Sequence, residues 1–212
     1  MKIALFGASG MIGSRILSEA LRRGHEVVAI VRQPQAVNAA AGVRSVAGDA
    51  TDAVSVALTA VGADVAVNAY SPQTGPQDGL SRNAHALIEG LPRAGVLRVI
   101  VVGGAGSLEV APGKPLVDTP DFPVPYKARA QAQSAQLDVF RSLSNSPLVW
   151  TFVSPSPMIA PGERTGTYRV GGDALLVDSA GESKISAEDY AVAILDEIER
   201  PAHPNARITV GY

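Results

Sequence analysis

Apolar residues along this chain fall in short continuous runs separated by stretches of helical periodicity, and the two kinds of segment alternate from one end to the other. Ile3–Phe6 reads as a buried strand, and after it Ile12, Ile16 and Ala20, with Leu17 and Leu21, give one helical face that Gly24 ends. Glu26–Val31 and Val43–Asp49 are expected as the next two strands. A helix over Ala53–Val61 follows, with Val54, Leu58 and Val61 on one side. Asp64–Ala69 is a fourth strand, and a helix from about Asp78 to Ala94 carries Leu80, Ala84, Leu87, Ile88 and Leu91. Val96–Val102 is the most hydrophobic strand of all. Strands this apolar, alternating with helices, belong to a parallel sheet covered on both faces. The expected fold is α/β, a Rossmann-like doubly wound, mainly parallel sheet forming one domain over residues 1–212.

The regular pattern then breaks. Gly103-Gly104-Ala105-Gly106 through Pro125 is rich in glycine and proline and reads as a long loop leaving the carboxyl end of a central strand, where ligands bind in such sheets. A helix from Tyr126 to about Ser144 spaces Ala128, Ala132, Ala135, Val139 and Leu143 for burial, and Leu148–Val153 supplies another strand, stopped by Ser154-Pro155-Ser156-Pro157. Residues 154–185 are expected as a small cap, with Thr167–Val170 and Ala174–Val177 forming a hairpin around Gly171-Gly172-Asp173. Ser186-Ala187-Glu188-Asp189 resembles a capping box, with Asp where Glu is usual, ahead of a final helix bearing Tyr190, Ala191, Ile194, Leu195 and Ile198. A strand around Ile208–Val210 closes the chain. There is no internal repeat and no low-complexity segment.

Chemistry concentrates at Gly7-Ala8-Ser9-Gly10-Met11-Ile12-Gly13, a GxxGxxG variant of the dinucleotide fingerprint placed between the first strand and the first helix. In that setting the strand ends, the backbone turns tightly, and the N-terminus of the helix presents unpaired N–H groups and a positive dipole end to a pyrophosphate. Gly7, Ser9, Gly10, Met11, Ile12 and Gly13 are therefore expected to contact a nicotinamide dinucleotide. The end of the second strand discriminates between the two common dinucleotides. An NAD-specific protein usually carries Asp or Glu there for the ribose hydroxyls, whereas this chain has Arg32, whose guanidinium can pair with a 2′-phosphate. NADP is favoured over NAD, although Arg32 could also stack on adenine without discriminating. Asp49 and Ala50 follow the third strand, where Asp49 accepts from the adenine amino group or caps the next turn. Asn68-Ala69-Tyr70 and Gly103-Gly104, at the ends of the fourth and fifth strands, are expected to line the ribose and nicotinamide path.

Composition narrows the field further. Hydrophobic residues make up 46% of the 212 and charged residues 18%, which is enough apolar material for a full core. With 18 basic and 20 acidic residues, and no basic run, neither nucleic acid nor an anionic membrane surface is expected as a partner. The absence of cysteine removes disulfides and thiol catalysis, and His25, His85 and His203 are too far apart in sequence for ligand spacing, so no metal is expected. No apolar run approaches the ~20 residues of a membrane span, and the first strand begins at Lys2, so neither signal peptide nor anchor is expected. The reading is a cytoplasmic protein, monomer or homodimer, acting on a small molecule.

These motifs resemble the atypical short-chain dehydrogenase/reductases. Within them the resemblance is to the NAD(P)H-binding group that takes in biliverdin reductase B/flavin reductase and bacterial NADH-flavin reductases. It spans nearly the whole chain, from Gly7–Gly13 through Val31-Arg32, Gly48-Asp49 and the Pro-rich turn before Ile159 to Thr165-Gly166-Thr167-Tyr168 and Lys184-Ile185-Ser186. It implies hydride transfer from NADPH to a flavin, quinone or similar planar acceptor. It does not name a proton donor, because the Tyr-x-x-x-Lys device of short-chain dehydrogenases is missing: Tyr126 is followed by Lys127, off its face, and by Ala130 one turn on. The serine and histidine of the flavin-reductase relatives correspond here to Gly104 and Met158. Ser107, Tyr126, Ser154 and Ser156 are the substitutes within reach of the sequence. A stacked hydride donor and acceptor need little more from the protein if water supplies the proton. Phe122, Tyr126, Met158 and Ile159 would then wall an apolar acceptor site. Two other readings stay open, a non-catalytic NADP(H) sensor like the NmrA-type regulators and a nucleotide-sugar epimerase or dehydratase relative.

Overall fold

In the computed structural model, which describes residues 1–38, 40–72 and 78–212, the apolar runs become the strands of a single central sheet. The first half of the chain contributes β1 (Lys2–Phe6), α1 (Met11–Arg22), β2 (Glu26–Val31), β3 (Val43–Ala47), α2 (Ala53–Ala60), β4 (Val65–Asn68), α3 (Gly79–Arg93) and β5 (Arg98–Val102). The second half contributes β6 (Glu109–Ala111), β7 (Lys114–Pro115), α4 (Val124–Arg141), β8 (Val149–Pro155) and β9 (Met158–Ala160). It ends with β10 (Arg169–Gly171), β11 (Lys184–Ser186), α5 (Ala187–Glu199) and β12 (Ala206–Gly211).

The eight-stranded sheet runs β10-β12-β8-β5-β4-β1-β2-β3, parallel throughout except for the antiparallel edge pair β10–β12. Alternate side chains of each strand enter opposite layers, as the pleat requires. Ile3 and Leu5 join α1 and α5 on one face, while Ala4 and Phe6 join α2, α3 and α4 on the other. Both faces are thus covered, which explains why the strands read as unbroken apolar runs. After β3 the chain crosses back over β1 to form β4 on its other side. That reversal opens a crevice between the carboxyl ends of β1 and β4, where ligands of such sheets sit.

Three local expectations differ from the structure. On α2 the stripe Val54, Leu58 and Val61 is exposed, and Val56, Thr59 and Ala60 are buried instead. The reason is a close helix crossing: a Cβ at Gly90 of α3 would come within 2.8 Å of Val56 and 2.5 Å of the Ala53 carbonyl, so only the smaller stripe fits. On α4, which starts at Val124 rather than Tyr126, the buried residues are Ala130, Gln136, Leu137 and Phe140, not the alanine stripe through Ala128, Ala132 and Ala135. Phe140 sets that rotation, with its ring centroid 5.8 Å from Trp150 and 6.4 Å from Phe152.

The third difference concerns irregular segments. Residues 103–125 hold the small hairpin β6–β7 and a 3₁₀ turn at Leu116–Asp118. Among the described residues the strands expected around Gly171-Gly172-Asp173 do not pair with each other. β10 adds to the sheet edge beside β12, and Ala174 bridges to Glu109. The cap region is otherwise held by the parallel pair β9–β11 and by side chains of α1 and α5. Arg164 donates to Glu19 at 2.8 Å, Tyr168 Oη to Asp196 at 2.5 Å, and the Gly162 N–H to Glu188 at 2.7 Å.

Candidate active site

The turn between β1 and α1 is built on backbone contacts that exclude side chains at two of its three glycines. Gly7 has φ of +79°, and a Cβ there would lie 2.5 Å from the Ala69 carbonyl oxygen; a Cβ at Gly13 would lie 2.1 Å from that of Gly7. These two residues let β1, β4 and α1 converge. Gly10 is different. Its φ of −74° and ψ of 169° suit any residue, and a Cβ would come no closer than 3.4 Å to any of the described residues. Nothing in the fold requires glycine at that position. Gly10 is also the N-cap of α1, with no side-chain cap and no acid in the first turn, so the positive end of the helix is left open.

What it opens onto is a cleft of about 620 Å³ along the carboxyl ends of the strands. Gly7, Ser9, Gly10, Met11 and Ile12 line its middle. Arg32, Asp49 and Ala50 line the end nearer β2 and β3, and Ala69, Tyr70 and Gly103 line the end nearer β4 and β5. Most residues singled out from the sequence for the dinucleotide are therefore brought together. Gly13, Asn68 and Gly104 are not on the surface of the cleft. Gly13 is packed under Gly7. Asn68 is buried, donating through Nδ2 to Asn83 Oδ1 at 2.7 Å. Gly104 lies under the Gln133 side chain, whose Oε1 would be 2.1 Å from a Cβ there.

Electrostatics divide the cleft. Asp49 Oδ1 accepts from the Thr51 N–H at 2.8 Å and Thr51 Oγ1 at 2.7 Å, which holds its carboxyl below the usual aspartate range and keeps it anionic at neutral pH. Of the two roles open to Asp49, capping the turn is the one its contacts display. Burial pushes the Tyr70 phenol up, and the Asp49 charge adds to it, so Tyr70 stays protonated. The charges of Arg82 and Arg32 act on both groups.

Residues expected to act chemically or to wall the acceptor are placed elsewhere. Ser154 is fully buried, because β8 continues to Pro155 and sets Ser154 opposite Thr209 inside the sheet; neither hydroxyl has a partner. Ser107 Oγ lies 3.5 Å from Arg207 Nη1, outside the cleft. Tyr126 and Met158 are 66% and 62% exposed, while Phe122 and Ile159 are half-buried, and none of the four lines the cleft. Sequence reasoning missed Thr51, Ser71, Leu80, Val102, Arg129 and Gln133, which do line it. It also missed the buried amide network behind the cleft. There Asn83 Oδ1 accepts from Asn68 and from Gln136 Nε2 at 2.9 Å, while Asn83 Nδ2 donates to the Ala50 carbonyl at 2.7 Å. An asparagine inside the Leu80–Leu87 stripe and a glutamine beside Leu137 were the available signals, since buried amides persist only when bonded.

Among the described residues no cluster of His, Asp or Glu is arranged for a metal ion, and no helix is long and apolar enough to cross a membrane. The sequence model of a family described as NAD(P)H-binding matches residues 7–201. A solved structure of a Burkholderia pseudomallei protein, proposed to be exported, is 50% identical with a TM-score of 0.91, each chain being covered completely. A proposed epimerase from Bacteroides thetaiotaomicron is 39% identical with a TM-score of 0.92, covering all of this chain and 96% of that one. A proposed NADH-flavin reductase from Streptococcus pneumoniae is 36% identical with a TM-score of 0.86, covering all of this chain and 99% of that one.

Proposed function

Because this chain belongs to the NAD(P)H-binding family, within the atypical short-chain dehydrogenase/reductase group, we propose that it is a reductase using NADPH to reduce a flavin, a quinone or a similar planar acceptor. The observation that carries the reading is Gly10. The fold has no need of glycine there, yet any side chain would project at the open end of α1, which is where a pyrophosphate must approach. The lining runs from Gly48 and Asp49 after β3 to Val102 and Gly103 at the end of β5, the path a dinucleotide would follow. When bound, the reduced nicotinamide supplies the hydride. The backbone N–H groups at the start of α1 would hold the pyrophosphate, and the ends of β4 and β5 would align the nicotinamide, with Val102 and Gly103 as its floor. In this reading water supplies the proton to the stacked acceptor, with no dedicated side-chain acid required.

Arg32 is exposed at the end of β2, and Asp49 is the only carboxylate lining the cleft among the described residues. That carboxylate is occupied by Thr51. We expect the 2′-phosphate of NADPH to take the guanidinium. Arg32→Ala should raise the Kd for NADPH at least about tenfold and that for NADH less than twofold, as read by fluorescence titration. Equal losses for both cofactors would sink the preference. A reductase also needs a pool of reduced cofactor, which favours the cytoplasm over the exported location proposed for the Burkholderia relative.

The missing Tyr-x-x-x-Lys pair weighs against the epimerase reading that the Bacteroides relative's name raises, since that chemistry moves protons through the tyrosine. The same absence keeps one alternative in play, a non-catalytic NADP(H) sensor that binds oxidised and reduced cofactor alike. Steady-state oxidation of NADPH with a panel of FMN, FAD and quinones decides between them. Turnover supports the reductase, and tight NADPH binding without turnover on any acceptor overturns it in favour of the sensor.

A further inference from the structure

Among the described residues four ionisable side chains line the cleft, and they divide by position. Arg32 and Asp49 lie at the end nearer β2 and β3. Tyr70 and Arg129 lie on the half beside β4 and β5, where Arg129 is the cation. It reaches from α4 across the cleft, where Nη2 donates to Ser71 Oγ at 2.7 Å. One helical turn further on, Gln133 lies along Gly103-Gly104, with Nε2 3.5 Å from the Gly103 carbonyl oxygen. Arg129 has five N–H donors and forms no ion pair with a carboxylate among the described residues. A cation left without a counterion over the reacting half of a cleft is the electrostatic complement of an anion.

We propose that Arg129, with Gln133 beside it, is an anion subsite for the acceptor, selecting acceptors whose oxygen is negatively charged or becomes so when hydride arrives. The inference rests on the reductase reading for which half of the cleft faces the acceptor. A guanidinium does not release its proton near neutral pH, so Arg129 is no general acid. It acts as a fixed positive charge where negative charge develops, the arrangement that stabilises an oxyanion without reorganisation. A quinone that takes a hydride from NADPH becomes the hydroquinone monoanion and leaves NADP⁺; water then protonates that oxygen. Electrons and protons balance without a side-chain acid. The acceptor class that fits best is therefore the quinones, above all those bearing an acidic hydroxyl.

The test uses binding, so that it stands apart from turnover. The probes are lawsone, a hydroxynaphthoquinone that is an anion at neutral pH, and its neutral methyl ether, each titrated into protein saturated with NADP⁺. Wild type should bind lawsone more tightly than the ether. R129Q should weaken lawsone about tenfold or more while leaving the ether and NADPH within about twofold, and R129K should recover part of the loss. Melting curves of the variants confirm folding. Unchanged lawsone affinity in R129Q overturns the proposal, and so does an equal loss for lawsone and NADPH, which assigns Arg129 to the cofactor. Should wild type oxidise NADPH with no acceptor and still bind lawsone through Arg129, the reductase reading fails and the anion subsite stands.

Discussion

Replacing Gly10 with valine is expected to raise the Kd for NADPH at least about a hundredfold while moving the melting temperature by no more than about 2 °C. The binding loss corresponds to about 3 kcal/mol. It would come from lifting the pyrophosphate off the N–H groups and the dipole of α1, which act only within the first turn. The stability half of the expectation follows from local geometry. Gly10 already has the backbone angles of an ordinary extended residue, and its nearest neighbour for a new Cβ is the Gly7 carbonyl oxygen at 3.4 Å, an ordinary contact. Gly7 and Gly13 serve as controls for the opposite outcome. A Cβ at either meets backbone at 2.5 Å or less, so substitution there should lower the melting temperature markedly and reduce binding only as a consequence. Fluorescence titration with NADPH alongside thermal melts separates the two classes. A Gly10→Val protein that binds NADPH like wild type would show that the cleft is not the cofactor site.

That contrast also marks what the sequence could reveal. The strand, glycine turn, helix and second strand at the start of the chain are local, so Gly7–Gly13 and the β1-α1-β2 unit were legible from spacing alone. The remaining large strands were legible for the same reason, since burial on both sheet faces leaves continuous apolar runs. Which face of a helix is buried was less so. On α2 the more apolar stripe is the exposed one, and on both α2 and α4 the choice fell to distant partners, Gly90 on α3 for the one and Trp150 and Phe152 on β8 for the other. Polar lining from α4 was hidden for a related reason. Arg129 and Gln133 reach the cleft only because α4, once rotated to bury Leu137 and Phe140, turns them toward Ser71 and Gly103. Ser154 looked exposed because Ser-Pro repeats usually end strands. Pairing with β12 extended β8 past it, and pairing of that kind has no local signature.

The second large effect is expected at Asp189, the third residue of α5. Its carboxylate is fully buried and accepts three hydrogen bonds: from Thr165 Oγ1 at 2.6 Å, the Gly166 N–H at 2.7 Å and the Tyr212 hydroxyl at 2.7 Å. One side chain thus joins the segment after β9, the N-terminus of α5 and the chain end beyond β12. Burial alone would push this carboxyl up, but the bonds from Thr165, Tyr212 and Gly166 outweigh it and hold the group below the usual aspartate range. Asp189→Asn sets an amide N–H₂ against these donors and leaves at least one of them unpaired. The expected loss is about 3 kcal/mol, or roughly 6 to 12 °C in melting temperature for a chain of this size. The pH dependence fixes the cause. A carboxyl whose folded pKa is depressed contributes its full stabilisation above the unfolded value of about 3.9 and loses it as pH falls through the folded value. The gap in melting temperature between wild type and Asp189→Asn should therefore be constant across neutral pH and close progressively below about pH 4. A gap that stayed constant into that acid range would assign the loss to altered shape at the site and not to the charge of Asp189.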